Sequence, residues 1–457
     1  MTKSLFEKTI EAPAEALDLG IEGGKKIAKT LPMNGHAPLK QARNFWYMLG
    51  PGLTTGASDD DPSGIATYSQ AGAQHGFGLL WLSAFTFPLM AVIQEMCARI
   101  GLVTGRGLAG SIRTHFGKRV LYFSTLFLFA ANTFNIGADI GAIANAAQLV
   151  LPRLDFTVIV IGMTLIILFL QIFTPYATYA RYLKWLALVL FAYILSALLA
   201  RPDWHAVFLN AVVPHVSFTK DSLLLICAVL GTTITPYLFF WQTSQEVEEE
   251  IAAGQTTLKQ RQGSNPIQVK KMRIDVWVGM FFSNIVMFFI IAACASTLFV
   301  HGVTNINTAA QAAAALKPFA GANASLLFAV GIFGMGLLAI PVLAGSSAYA
   351  ISESLGKRQG LNNKLRQGYA FYGVIIISML VGLGLNFIGL NPIKALIYSA
   401  VLNGIVAPII LVQIVLIASN KRIMKEWANG PATKAIGWIA TVLMAASGVA
   451  AIWSLWP

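Results

Sequence analysis

Eleven blocks of this chain are long and apolar enough for a helix to cross a lipid bilayer, and no other feature of the sequence constrains the fold as much. They lie near 45–74, 78–103, 119–150, 155–174, 177–200, 222–250, 270–300, 323–353, 367–388, 392–418 and 432–455. A spanning helix takes roughly 20 mostly apolar residues. Only helices and closed barrels satisfy their backbone polar groups in hydrocarbon, and these blocks have the length of helices. Composition agrees, since 56% apolar and 11% charged residues among 457 leave too little polar surface to coat a soluble globule. The expectation is an all-α integral membrane protein with about eleven transmembrane helices.

The charges orient it. Short cytoplasmic loops of membrane proteins carry the Lys and Arg. With the N-terminus inside, the cytoplasmic segments hold all of the 32 Lys and Arg except Arg153, Arg201, Lys220, Lys317 and Lys394. A miscounted span would scramble that alternation. The expected placement is multi-pass in the cell inner (plasma) membrane, N-terminus cytoplasmic and C-terminus outside. The net charge of +12 then reads as orientation and contact with anionic lipid, not as a nucleic-acid surface. Residues 1–44 mix Glu, Asp and Lys around no apolar core, which fits a disordered cytosolic tail better than a signal peptide or a span. Nothing in the sequence calls for a second copy, so a monomer is expected.

Redox and soft-metal chemistry find little support. Cys97, Cys227 and Cys294 fall in three different spans with no metal-ligand spacing and read as small packing residues. The six histidines lie in the tail, in loops or near span ends, so none stands at mid-membrane. No cofactor is implied, no phosphate-binding loop is present, and the chain does not read as an enzyme.

Two spans break the rules for a plain helix. In the first, Ser58-Asp59-Asp60-Asp61-Pro62-Ser63-Gly64 interrupts the apolar block. Proline removes a backbone donor and pushes Asp61 out of helical angles, so the helix should unwind here. A carboxylate facing lipid costs roughly 2.5 to 3.5 kcal/mol even on the lenient scale, so these acids must line a polar cavity or bind a cation. Asp61, at the break itself, is the first candidate for a cation ligand. Asp59 and Asp60 either join an ion path or face a water-filled cytosolic vestibule on a kinked helix.

The second break is Gly231-Thr232-Thr233-Ile234-Thr235-Pro236-Tyr237, five spans later. A five-span unit must repeat with inverted topology, and paired broken helices in inverted halves point to a midplane site. Residues 45–200 and 201–418 are then the two five-helix repeats, with 419–457 holding a peripheral eleventh helix. Half-helix N-termini attract anions, whereas carboxylates with unwound carbonyls attract cations. Asp61 decides for a cation.

Three further features are ambiguous. Span six ends in Glu246, Glu248, Glu249 and Glu250, which oppose the helix dipole; they either pair with Lys259 or Arg261 or gather cations at the inner mouth. Asn403 in span ten is a helix-packing amide or an oxygen donor to the site. Gly345-Ser346-Ser347-Ala348 in span eight fits small-residue helix packing or, less simply, a second ion site.

At its two breaks the chain resembles the Nramp family of divalent-metal transporters, most closely its Nramp-related magnesium branch. The resemblance runs from about 45 to 418 and rests on Gly50-Pro51-Gly52, on Asp61-Pro62 with Gln70-Ala71-Gly72-Ala73 behind it, and on the proline of span six. It implies a LeuT-type fold, a 5+5 inverted repeat with helices 1 and 6 broken and one helix added. It also implies metal contacts at Asp61, at the Thr232 carbonyl and, with looser alignment, at Asn403. The family's motifs read Asp-Pro-Gly-Asn and Met-Pro-His. Here Gly64 stands in place of the asparagine ligand, Thr235 in place of the methionine and Tyr237 in place of the histidine.

Losing the thioether removes the soft ligand that favours Mn, Fe and Cd over Mg and Ca. Gly64 should enlarge the cavity and deletes one direct ligand, which suits an ion that keeps several waters, as Mg2+ does. The substrate expected is therefore Mg2+, with Mn2+ beside it, moved through a hard-oxygen midplane site. Of the family's proton route, the histidine is absent, and Asp139, the one acid in Asn132–Gly141 of span three, sits a place out of register. Uncoupled uptake driven by the membrane potential follows. The alternatives are a proton-coupled Mn2+/Fe2+ importer and, from another class, a sodium-coupled amino-acid transporter on the same fold with Asp61 holding Na+.

Overall fold

The computed structural model describes residues 50–174, 186–361, 363 and 365–456. The tail expected at 1–44, the first residues of span one and part of span five lie outside the described residues. All regular structure among the described residues is helical.

Helices begin where proline makes the missing first-turn donor harmless. The first span is two half-helices, α1 (Pro51–Asp59) and α2 (Pro62–His75). There follow α3 (Trp81–Thr104), the short α4 (Leu108–His115), α5 (Lys118–Val150), α6 (Phe156–Phe173), α7 (Phe191–Leu199) and the short α8 (Trp204–Val212). The sixth span is again broken, into α9 (Lys220–Thr233) and α10 (Pro236–Ala252). The chain closes with α11 (Pro266–Thr297), α12 (Ala324–Leu355), α13 (Tyr369–Leu385), α14 (Pro392–Ala418) and α15 (Pro431–Leu455). Pro51, Pro62, Pro236, Pro266, Pro392 and Pro431 each occupy a helix start, where their fixed φ is already helical.

Eight helical stretches among the described residues are long and apolar enough to cross a membrane, and Leu188–Leu199 and Tyr369–Leu385 are shorter apolar helices. With the broken pair at Pro51–His75, these supply the eleven blocks read from the sequence. The apolar faces turn outward at the periphery. On α6, Leu165, Phe169 and Phe173 are 57%, 60% and 67% exposed, and on α15 Val449 is 68% exposed, as lipid-facing surface requires.

The first half-helix of each broken span is held by close backbone contact. A Cβ at Gly56 would stand 2.3 Å from the Gly279 carbonyl oxygen, and one at Gly52 would stand 2.6 Å from the Val276 nitrogen, so α1 lies directly on α11. In the second half, a Cβ at Gly231 would stand 2.1 Å from the Ala400 carbonyl oxygen, so α9 lies as closely on α14. Small residues at helix interfaces allow this approach.

Buried acids near the helix ends are matched to donors. Asp275 of α11 accepts the amides of Gly50, Gly52 and Leu53 at 2.8, 2.7 and 3.1 Å and so caps α1 from another helix. This places a negative charge at the positive end of the helix dipole, and it gives Gly50-Pro51-Gly52 a physical role. Glu353 does the same for α4 through the Gly107 and Gly110 amides, both at 2.8 Å. Glu95 accepts from Arg273 at 2.9 Å and from the Trp277 indole at 2.8 Å, tying α3 to α11. The Ser346 and Ser347 hydroxyls accept the Asn132 amide at 2.8 and 2.9 Å, so the small-residue run of α12 packs against α5.

Candidate metal site

The two breaks face each other, and each is made by proline in the same way. An α-helical carbonyl accepts the N–H four residues on, so Pro62 leaves the Ser58 carbonyl without its donor and Pro236 does the same to the Thr232 carbonyl. The Ser58 carbonyl finds a substitute across the site, where the Tyr237 hydroxyl donates to it at 2.9 Å. Tyr237 is buried and clamps the end of α1 to the start of α10. Thr232 is likewise buried, and its side chain meets the opposite break, since a Cβ on Gly64 would stand 3.2 Å from Thr232 Oγ1 and 3.3 Å from the Asp59 carbonyl oxygen. Gly64 therefore serves close approach of span six to span one and leaves no void where the resemblance would place an asparagine.

Asp61 is the N-cap residue of α2. Its Oδ1 accepts the Gly64 amide and the Ser63 hydroxyl, both at 2.7 Å, and its Oδ2 accepts the Asn135 amide at 3.0 Å. Asn135 of α5 is itself oriented by the Ser399 hydroxyl of α14 at 2.8 Å. The carboxylate is thus held in position by three donors, with Asn135 fixed from a third helix. None of Ser63, Asn135 and Ser399 was singled out from the sequence. Their only signal is that they are polar within spans, which many packing residues share.

Asn403 lies one helical turn beyond Ser399 on α14, so the two share a face. It is buried, and neither its amide nitrogen nor its amide oxygen has a hydrogen-bond partner. Thr235, the N-cap residue of α10, makes no side-chain cap, and its buried hydroxyl is equally unpartnered. Asp139 of α5 has both carboxylate oxygens buried and unpartnered, and the groups it senses electrostatically are Asp61 and the Ser63 amide. Unmatched buried polar atoms are rare in folded proteins and call for an explanation such as an unseen ion.

Asp59 and Asp60 do not face a water-filled vestibule. They are 0% and 1% exposed, packed where α1 ends against α11, and the Ser283 hydroxyl donates to Asp59 Oδ2 at 2.6 Å. Of the two alternatives open for these acids the vestibule falls, because close packing of Gly56 on Gly279 shuts that side. Glu246 is also buried. It accepts the Gln242 amide at 2.8 Å, and the Gln242 carbonyl oxygen accepts the Thr55 hydroxyl at 2.5 Å, so a polar chain runs from α1 along α10. Arg261 offsets the charge of Glu250, as one sequence reading expected, whereas Lys271 of α11 offsets that of Glu249.

At the other end of α2 a cleft of about 240 Å³ is lined by Gln70, Gln74, Asp221, Asn305, Lys394 and Tyr398. Gln70 shapes it by donating to the Thr304 carbonyl at 3.0 Å and accepting the Ile306 amide at 2.9 Å. Among the described residues no three side chains of His, Cys, Asp or Glu converge as a metal cage. The polar groups at the breaks are one donor-held carboxylate and neutral oxygens, a chemistry that suits a hard cation and is poor in soft ligands.

Comparison with known proteins bears on this arrangement. The family described as "Natural resistance-associated macrophage protein-like", Nramp, matches residues 52–454. A relative named divalent metal cation transporter MntH, from Caldanaerobacter subterraneus subsp. tengcongensis, is 24% identical over 417 residues, covering 90% of this chain and 93% of its own length. A crystal structure of a manganese transporter from Eremococcus coleocola, in complex with an aromatic bis-isothiourea substituted compound, superposes with a TM-score of 0.68 at 18% identity, over 93% of this chain and 90% of that one. Mhp1 in an inward-facing conformation is a more distant neighbour, with a TM-score of 0.51 at 15% identity, over 89% and 90% of the two chains.

Proposed function

This chain belongs to the Nramp family, a family of transporters rather than enzymes, and from that premise we propose that it carries divalent metal ions, Mg2+ foremost and Mn2+ with it. The observation that carries the proposal is the donor set at the facing breaks. Asp61 supplies the charge, the Thr232 carbonyl a backbone oxygen freed by Pro236, and Asn403 and Thr235 neutral oxygens that have no other partner. Gly64 contributes by letting the two breaks approach. An ion keeping part of its water shell needs only one or two carboxylates, and the absence of a thioether removes the preference for softer ions.

On this reading 45–200 and 201–418 are two inverted five-helix repeats with the site between them, and α15 is peripheral. In the orientation that the charged loops favour, the N-terminus is cytoplasmic and the chain spans the inner membrane. The cleft at Gln70, Asp221 and Lys394 is then the outer entrance, and the line Thr55, Gln242, Glu246 marks the inner exit. Ser58 and Tyr237 close the path between, the tyrosine standing where a proton-carrying histidine would. Transport without obligatory proton movement follows, driven by about 4.6 kcal/mol per 100 mV for a divalent cation, twice the value for one charge. Asp139, beside Asp61, is the residue through which a proton-coupled Mn2+/Fe2+ route would have to pass. The E. coleocola neighbour is a manganese transporter and the Caldanaerobacter relative a divalent metal cation transporter, which favours Mn2+ as a substrate here; metal transport displaces the amino-acid reading.

Uptake of Mg2+ and Mn2+ into proteoliposomes under an inside-negative potential tests the proposal. Both ions should enter, proton flux should not accompany them, and Asp61→Ala should reduce entry to the background of empty liposomes. Entry of Mn2+ or Cd2+ without Mg2+, accompanied by protons, would replace this reading with the conventional coupled importer.

A further inference from the structure

Three buried carboxylates near helix ends of this fold are matched to donors. Asp275 has three amides, Glu353 two amides and Glu95 an arginine and an indole. Asp61, within the break, has three donors of its own. Asp59 and Asp60 depart from this rule. They are adjacent in the chain, 0% and 1% exposed, and Oδ1 of each is buried with no hydrogen-bond partner. The Ser283 hydroxyl donates to Asp59 Oδ2 at 2.6 Å and also bears on Asp60, so the two carboxyls meet at one serine. The charged groups they sense are each other and Asp61, with no Lys, Arg or His among them.

Their position adds to the imbalance. Asp59 is the last residue of α1 and Asp60 its C-cap residue, so both stand at the negative end of a helix dipole. The direction of α1 therefore offers no compensation. An unpaired charge removed from water is costly, so this adjacent pair needs a proton or a bound cation to neutralise it. Hard oxygens at a half-helix C-terminus, with vacant lone pairs and excess negative charge, are the setting in which membrane proteins hold cations.

We propose that Asp59 and Asp60, with Ser283 Oγ, form a second cation site, separate from the one at Asp61 and selective for a hard divalent ion. The charge count favours a divalent ion, because one such ion neutralises both carboxylates while a monovalent ion leaves one unbalanced. Ser283 uses its proton toward Asp59, so its oxygen lone pairs are available to the same ion. The site lies between α1 and α11, whereas the donors of Asp61 come from α2 and α5. The proposal stands whichever ion the Asp61 site carries.

The test is thermal melting of the full chain in detergent, with Mg2+ as probe and choline chloride holding ionic strength constant. In Asp61→Ala, Mg2+ should still raise the melting temperature saturably. In Asp61→Ala/Asp60→Asn that rise should be lost, and without metal the double variant should melt higher than Asp61→Ala, because one unpaired buried charge is gone. The melting transition itself reports that each variant is folded. No Mg2+ effect on Asp61→Ala, a rise that survives in the double variant, or a rise given by Na+ and not by Mg2+ would each overturn the proposal. A lower metal-free melting temperature in the double variant would also overturn it, by showing that Asp60 is a structural hydrogen-bonding group.

Discussion

The first and sixth spans break by one device and fill the gap differently. Both put proline at the start of the second half-helix, both strip a donor from the carbonyl four residues earlier, and both pack a glycine of the first half-helix onto a neighbouring backbone. In the first span the stripped carbonyl, Ser58, is taken by Tyr237, and the charge is carried by Asp61. The sixth span has no acid at its break, and its contribution is a backbone carbonyl at Thr232 and the unpartnered Thr235 hydroxyl. The difference teaches that the site separates its tasks. One break supplies charge and a closing clamp, the other supplies neutral oxygen.

The largest effect expected of that comparison is on stability, and it should be alike at both breaks. Gly56→Ala and Gly231→Ala each force a Cβ into backbone at 2.3 and 2.1 Å and should each cost about 1–3 kcal/mol, read as a lower melting temperature. A cost confined to one of them would show that the two half-helices are not held by the same kind of contact. Next is an asymmetry in transport. Pro236→Ala returns an N–H to the Thr232 carbonyl and should weaken ion uptake about tenfold, or ~1.4 kcal/mol. Pro62→Ala returns one to a carbonyl that Tyr237 already satisfies and should do less. Equal losses would mean that proline acts through geometry and not through the freed oxygen. The smallest effect concerns the clamp, since Tyr237→Phe deletes one hydrogen bond and should lower stability by about 1 kcal/mol while Mg2+ uptake persists. Abolished uptake would move Tyr237 from clamp to ligand.

How much of this was legible follows from the range of each interaction. Asp61 and its break could be read directly, because proline acts on the residue before it and on the carbonyl four back. The burial of Asp59 and Asp60 could not, because it depends on Gly56 meeting Gly279 of a helix far along the chain. Asn135 was unreadable for the same reason, as its bond to Asp61 spans 74 residues and that of Ser399 to Asn135 spans 264. The glutamates of span six show a mixed outcome. Arg261 was foreseeable from its place in the next loop, whereas Lys271 and the Gln242 amide acquire their roles only when α10 packs beside α1 and α11.

The sequence by itself determined the number of spans, the positions of both breaks and the sign of the charge placed at the site. These are set by hydrophobic length and by local backbone sterics, which a chain carries wherever it folds. Tertiary structure alone decided which polar groups meet. It added Asn135 to the two donors that Asp61 finds in its own helix cap, gave the Ser58 carbonyl a tyrosine, and left Asp59, Asp60, Asp139 and Asn403 with unmatched atoms. The physical reason is that a buried hydrogen bond needs its partner within about 3 Å, and in this fold that partner comes from another helix.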